Sequence, residues 1–68
     1  MKVELGKEKD GYHAKISGRK HLVAFGFTKR EALEELMGAA TEEFSKESDY
    51  REAEKKIREQ LKKLDGDD

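Results

Sequence analysis

Few residues of this chain are suited to acid–base or metal chemistry. His13 and His21 are its two histidines, and it has no cysteine. Disulfides and thiolate zinc sites are therefore excluded, and two histidines do not close a metal site without carboxylates. No Ser-His-Asp or Cys-His arrangement and no glycine-rich phosphate loop is present. We therefore expect a protein that is not an enzyme and that uses no metal and no cofactor.

Charged residues are the chain's main chemical resource, since they make up 46% of its 68 residues, although the net charge is only −1. Residues 1–30 contain eight Lys or Arg and three acids, whereas residues 31–68 contain seven and thirteen. Such an asymmetry indicates a partner with a strong field of its own, and an unevenly charged solvated surface is the alternative.

Two charged sets are candidate binding residues. The acidic set lies on a predicted helix, where solvation is the simpler role, and consists of Glu34, Glu35, Glu42 and Glu43. The basic set can supply phosphate contacts from a sheet and its hairpin tip, and consists of Lys2, His13, Lys15, Arg19, Lys20, Lys29 and Arg30. Nothing in the basic set specifies base readout, and no aromatic pair is plainly displayed for stacking on single strands.

Three strands are predicted in the first half of the chain. KVEL and YHAKIS alternate polar and apolar residues, and Asp10-Gly11 between them is a hairpin signal. A second turn through Gly18 leads to HLVAFGF, which is apolar on both faces. We place the heavier face of this third strand, Val23, Phe25 and Phe27, on the core.

Two helices are predicted in the second half. Thr28 and Glu31 fit a capping box, followed by an apolar stripe at three- and four-residue spacing: Ala32, Leu33, Leu36, Met37, Ala40 and Phe44. A second box, Asp49 with Glu52, begins another helix that ends at Gly66, followed by a frayed tail. Its narrow stripe consists of Tyr50, Ile57, Leu61 and Leu64, with Ala53. This stripe packs back onto the domain, forms an oligomer seam, or docks in a groove of a different protein.

The predicted fold class is α+β: a three-stranded antiparallel β-meander packed on one α-helix, with a second C-terminal helix, in the order β-β-β-α-α. Residues 1–47 form the β-β-β-α domain, and residues 48–68 form the C-terminal helix and tail. Because so small a domain has a marginal core, we expect a homodimer or larger homo-oligomer. No apolar run approaches the roughly 18 to 20 residues that span a membrane, and no signal peptide is present, so the expected location is the cytoplasm.

The segment from Asp10 to Phe44 resembles the N-terminal domain of HicB antitoxins. The family pattern is Asp-Gly-Tyr-(Tyr/Trp)-Ala, a short loop, Val-x-x-Gly-x-Thr, and Glu-Ala-Leu in a helix. The matching residues, without a gap, are Gly11, Tyr12, Ala14, Val23, Gly26, Thr28, Glu31, Ala32 and Leu33. The chain departs from the pattern in two places. Its second loop is the basic SGRKHL, where the family has Pro-Asp-Leu-Pro-Gly-Cys. The roughly 20 residues after the first helix are also too few for the family's C-terminal DNA-binding domain.

This resemblance implies a module that pairs with a small basic toxin ribonuclease and covers its active site. The acidic helix surface suits such a partner, whereas the basic sheet is less expected. The rival resemblance is to AP2-like and integrase arm-type DNA-binding domains, which share the β-β-β-α order and a Thr-x-x-Glu-Ala helix start. The residues that match this pattern are Thr28, Glu31 and Ala32, with Ala39 and Ala40 later in the helix. The sequence thus predicts a protein-binding, antitoxin-like inhibitor or regulator, and the alternative is a small DNA- or RNA-binding protein.

Overall fold

A computed structural model describes residues 1–18 and 21–64 of the chain. The strands are β1 (Lys2–Glu8), β2 (Gly11–Ser17) and β3 (Leu22–Gly26), and the helices are α1 (Lys29–Glu43) and α2 (Glu47–Lys63). The strands form one antiparallel sheet in the order β1-β2-β3. This confirms the predicted α+β class and element order. The predicted frayed tail, residues 65–68, and the tip residues Arg19 and Lys20 lie outside the described residues.

Alternation of side chains sets the inward face of the first hairpin as predicted. Val3 pairs with Ile16 and Leu5 with Ala14, and all four belong to or pack against the core. The loop residues are Lys9 and Asp10, because Gly11 already pairs with Glu8 as the first residue of β2. The hairpin is therefore present, with its glycine in the strand.

The inward face of β3 is the opposite of the predicted one. Ala24 is buried and Leu22 half-buried against the core, whereas Val23, Phe25 and Phe27 are exposed. The prediction that these three residues face the core was wrong. In a strand that is apolar on both faces, side-chain size does not by itself decide which face is buried.

Pairing with β2 decides the orientation of β3. Ala14 lies opposite Ala24 and Ile16 opposite Leu22, so these four side chains share the inward face. Helix α1 packs on this face with Ala32, which like Ala14 is fully buried. A helix can approach a sheet closely only where the side chains of both layers are small. A phenylalanine at position 24 would prevent this close approach.

The start of α1 follows the capping box with one change. The amide of Glu31 donates to Thr28 Oγ1 at 3.0 Å, and Glu31 Oε1 accepts from the Phe27 amide at 3.0 Å, one residue before the N-cap. The predicted stripe is inward: its residues are buried except Met37, which is half-buried against the core. At the other end, the Phe44 amide donates to the Ala40 carbonyl, which closes the helix.

Helix α2 begins two residues earlier than its predicted cap. Lys46 is the N-cap and makes no side-chain cap hydrogen bond, so the predicted capping box at Asp49 was wrong. Asp49 lies instead within the first turn beside Glu47, where negative charge suits the helix dipole. Ion pairs one turn apart support the exposed side: Arg51 with Glu47 at 2.6 Å, and Arg58 with Glu54 at 3.3 Å.

The inner side of α2 packs on α1 and β1 of its own chain. Ala53 and Ile57 have no exposed surface, Leu64 is 7% exposed, and Tyr50 and Leu61 are half-buried against the same core. The structure therefore shows the packing-back alternative, and a seam between chains would have to use the outer parts of Tyr50 and Leu61. Oligomerisation itself stays a prediction.

One core joins both predicted segments, since its buried residues run from Val3 in β1 to Leu64 at the end of α2. Both helices cover one face of the sheet and leave the other face open. Within the described residues, neither helix has both the length and the apolar character that crossing a membrane requires.

Candidate protein-binding surface

The most unusual surface feature is an apolar patch on and after β3. It consists of Val23, Phe25 and Phe27, which are 52%, 63% and 77% exposed, and we call it the β3 patch. In the described part of the chain these are all of the large apolar side chains that are exposed. Single exposed apolar residues are ordinary, whereas a cluster of them in one short run of a highly charged chain makes this surface a candidate for interaction.

Beside the patch, the open face of the sheet carries a row formed by Gly6, His13 and Phe25, which are neighbours in register. The His13 ring meets the Phe25 ring edge-on, with 6.4 Å between centroids and 63° between planes. Its Nδ1 lies 2.5 Å from Glu8 Oε2. A Cβ on Gly6 would be 2.3 Å from His13 Cε1, so the missing side chain at Gly6 is what lets the ring lie there.

The cations of the open face have carboxylate neighbours. Lys15 lies directly opposite Glu4 in register, and Lys2 Nζ is 4.0 Å from Glu4 Oε2. With His13 against Glu8, the charges on this face nearly balance. As far as the described residues go, this face therefore carries little of the excess positive charge that phosphate binding needs.

Five residues of the basic set lie in the described part of the chain, and these five do not gather on one surface. Lys2, His13 and Lys15 share the open face, whereas Lys29 lies at the start of α1 with its ammonium 5.8 Å from the Tyr12 ring centroid. Tyr12 packs against the core side, and Arg30 is half-buried on α1. Arg19 and Lys20 lie outside the described residues.

A cleft of about 400 Å³ lies at the end of the sheet next to the β3 patch. Phe25 and Phe27 form one wall, and Asp10, Tyr12 and Glu31 are among its other lining residues. Aromatic walls with carboxylates suit a basic side chain. Within the described residues, no three His, Cys, Asp or Glu side chains gather in a way that could hold a metal ion.

The acidic set is exposed along α1, and half of it borders the patch. Glu34 and Glu43 are exposed elsewhere on the helix. Glu35 and Glu42 line a groove that runs between α1 and β3, with Phe25 at its edge. The structure thus places two of the four predicted acids next to an apolar, aromatic surface.

Sequence reasoning missed the β3 patch as an exposed surface because it assigned those residues to the core. The signal that could have found them is the run HLVAFGF, which is apolar on both faces. A strand whose sheet is covered on only one side needs one apolar face. The second apolar face is therefore surplus to folding.

Phe25 lies on the open sheet face, belongs to the β3 patch and borders the groove of Glu35 and Glu42, so these three features adjoin one another. In the comparisons with known proteins, no family model matches this chain, and neither the curated proteins nor the solved structures contain a significant match. The similarity to HicB antitoxins therefore remains a resemblance of residues and spacing.

Proposed function

We propose that this chain is a non-enzymatic protein-binding module, an antitoxin-like inhibitor or regulator that covers the active surface of a small basic protein. The observation that carries the proposal is the position of Phe25, which belongs to the exposed β3 patch and also borders the groove of Glu35 and Glu42. An aromatic centre with a polar rim is the usual anatomy of a protein interface.

The two parts of this surface have different roles in binding. Burial of Phe25 and Phe27 supplies affinity, because exposed phenylalanine rings gain roughly 1.5–3 kcal/mol each when they are fully removed from water. Glu35 and Glu42 supply selection and a faster approach, because rim charges act mainly on partner choice and association rate. A basic partner meets both requirements, and an acidic one is repelled.

The resemblance described above is consistent with this function. It implies a domain that covers a basic toxin ribonuclease, and the acid-bordered apolar surface is what such a partner's active face would need. The C-terminal helix α2 takes no part in the surface, since it packs on the side of β1.

Affinity capture tests the proposal. The chain is immobilised, and bound proteins from its source cells are identified and assayed for ribonuclease activity with and without the chain. We expect capture of a small basic protein whose activity falls in the complex. A Phe25→Ser/Phe27→Ser variant should lose the capture, and Lys55→Ser, an exposed change on α2, should retain it. If the phenylalanine variant captures the same protein as well as the wild type does, the proposal is wrong.

A second candidate is single-stranded nucleic acid, because Phe25 and Phe27 offer two exposed rings on which bases can stack. The nearly balanced charge of the open face argues against it. Fluorescence anisotropy with labelled single strands and duplexes at low salt distinguishes the two candidates. Tight binding that weakens steeply with salt would favour nucleic acid over the protein partner, provided that the Phe25→Ser/Phe27→Ser variant loses it.

A further inference from the structure

We propose that the partner docks by adding an extended strand to the free edge of β3, with alternate side chains that are basic over α1 and apolar over the open face. This inference rests on the proposed function, because it specifies how the basic partner is held. The partner class is a protein with an exposed, extended segment of alternating basic and apolar residues.

The two edges of the sheet differ in their protection. On the β1 side, α2 packs against the strand, and Gln60 Nε2 donates to the Val3 carbonyl at 3.5 Å. On the other side, β3 is the end of the sheet. Soluble proteins usually protect such an edge with charged residues, proline or a covering element. The segment Leu22–Gly26, LVAFG, has neither charge nor proline, so β3 keeps a surface ready for strand pairing.

The groove beside β3 has the shape and charge to take the side chains of an added strand. It measures about 420 Å³ and runs between Ala24 and Phe25 on β3 and Glu35, Gly38 and Glu42 on α1. A Cβ on Gly38 would meet nothing within 4 Å, so this stretch of the helix surface is open. Because strand side chains alternate, every second residue of an added strand would lie over this groove and face its two carboxylates.

Charge complementarity favours a basic segment over a second copy of this chain at the edge of β3. A second copy of this chain, paired β3 to β3 about a two-fold axis, would bring its own Glu35 and Glu42 beside the same groove. Four carboxylates would then crowd one side of the interface, and like charges at an interface disfavour the complex. An extended segment with lysine or arginine at alternate positions forms opposite-charge pairs there and leaves its apolar residues beside Val23 and Phe25.

Synthetic peptides test this mode of binding directly. The probe is a short peptide of alternating lysine and valine, titrated into the full chain and followed by NMR with amide hydrogen exchange. We expect shifts and slower exchange at the amides of β3 and no change in α2. The same peptide N-methylated at the amides that would face β3 should not bind, because it keeps its side chains and loses its main-chain hydrogen bonds.

Charge variants test the groove. Glu35→Lys/Glu42→Lys should weaken binding of the lysine peptide roughly fivefold or more at low ionic strength. The matched control Glu52→Lys/Glu59→Lys makes the same change in net charge on the exposed side of α2 and should have little effect. A peptide with aspartate in place of lysine should bind the wild type more weakly than the lysine peptide does.

The inference would be overturned if the N-methylated peptide bound as well as the unmodified one, or if the peptide left amide exchange in β3 unchanged. It would also be overturned if amide exchange in β3 slowed with rising protein concentration in the absence of peptide, because that result indicates pairing with a second copy. These results are distinct from failure of the proposed function. A basic protein captured through Phe25 and Phe27 without any strand pairing leaves the function standing. If the peptide pairs with β3 but no protein is captured, strand addition at the edge is supported and the proposed function is not.

Discussion

Gly26 lies directly against the backbone of the first turn of α1, and a Cβ on Gly26 would be 2.4 Å from the nitrogen of Ala32. This contact explains why the chain passes from β3 into α1 through Gly-x-Thr. Thr28 provides the helix cap, and Gly26 provides the space for the helix to turn back across the sheet. The matched glycine in the antitoxin-like pattern thus has a structural reason that capping alone does not supply.

Replacing glycine by alanine should have opposite effects at two positions. Gly26→Ala forces backbone against backbone, so we expect it to destabilise the fold by about 1–3 kcal/mol or more. Gly38→Ala adds a methyl group in open space on α1 and should stabilise by up to about 1 kcal/mol, because alanine is the better helix former. Urea unfolding of both variants measures the difference. Equal effects of the two changes would contradict the close approach at Gly26.

Loss of the Thr28 cap should cost stability in proportion to the hydrogen bond it removes. Thr28→Ala leaves the Glu31 amide without its acceptor, and we expect a loss of about 0.5–2 kcal/mol. Thr28→Ser keeps the hydroxyl and should retain most of the stability. Thermal unfolding of the two variants provides the comparison, and similar losses in both would mean that the cap contributes little.

Valine substitutions at neighbouring positions test the orientation of β3. Ala24→Val adds two methyl groups between the sheet and α1, and overpacking of this kind costs about 1–3 kcal/mol. Phe25→Val shortens an exposed side chain and keeps a good strand former, so its effect should stay within about 0.5 kcal/mol. Chemical denaturation of the two variants under the same conditions shows which one loses more stability, and we expect it to be Ala24→Val. The reverse order would show that β3 faces the other way.

Truncation of Ile57 tests whether α2 belongs to the core of its own chain. Ile57 is fully buried, so Ile57→Ala should destabilise the protein by about 2–5 kcal/mol, and Leu61→Ala, at a half-buried position, by less. Unfolding is measured over a wide range of protein concentration. A midpoint that is independent of concentration indicates packing within the chain, and a midpoint that rises with concentration indicates a seam between chains.

The sequence was sufficient to predict the elements, because each has a strong local signal. Alternation marks β1 and β2, and the Thr28 box with its three- and four-residue stripe marks α1. The start of α2 was misplaced because Asp49 and Glu52 fit a capping box, while the helix begins at Glu47 without a side-chain cap. Glu47 and Asp49 both lie in the first turn, where they suit the helix dipole, and Glu47 pairs with Arg51, so local charge supports the earlier start.

The candidate surface was harder to predict than the fold. Glu35 and Glu42 were identified from charge alone, but the β3 patch depends on which face of β3 meets α1. That choice is made by the partners Ala14 and Ala32, which are remote in sequence, and not by the strand itself. The position of Lys29 was also not evident from the sequence: it follows the turn into α1 and lies by Tyr12, away from the open face.

Among residues 1–18 and 21–64, five of the twelve buried core residues are alanine, while Phe25 and Phe27 remain in water. The free protein therefore forgoes burial that would strengthen a domain this small, and its reserve against unfolding is correspondingly slender. Any partner that covers these rings binds the folded form alone and shifts the folding equilibrium toward it. Under the proposed function, the lifetime of the chain in the cell would be coupled to the supply of that partner, because unbound copies would open more often and be removed first by proteases.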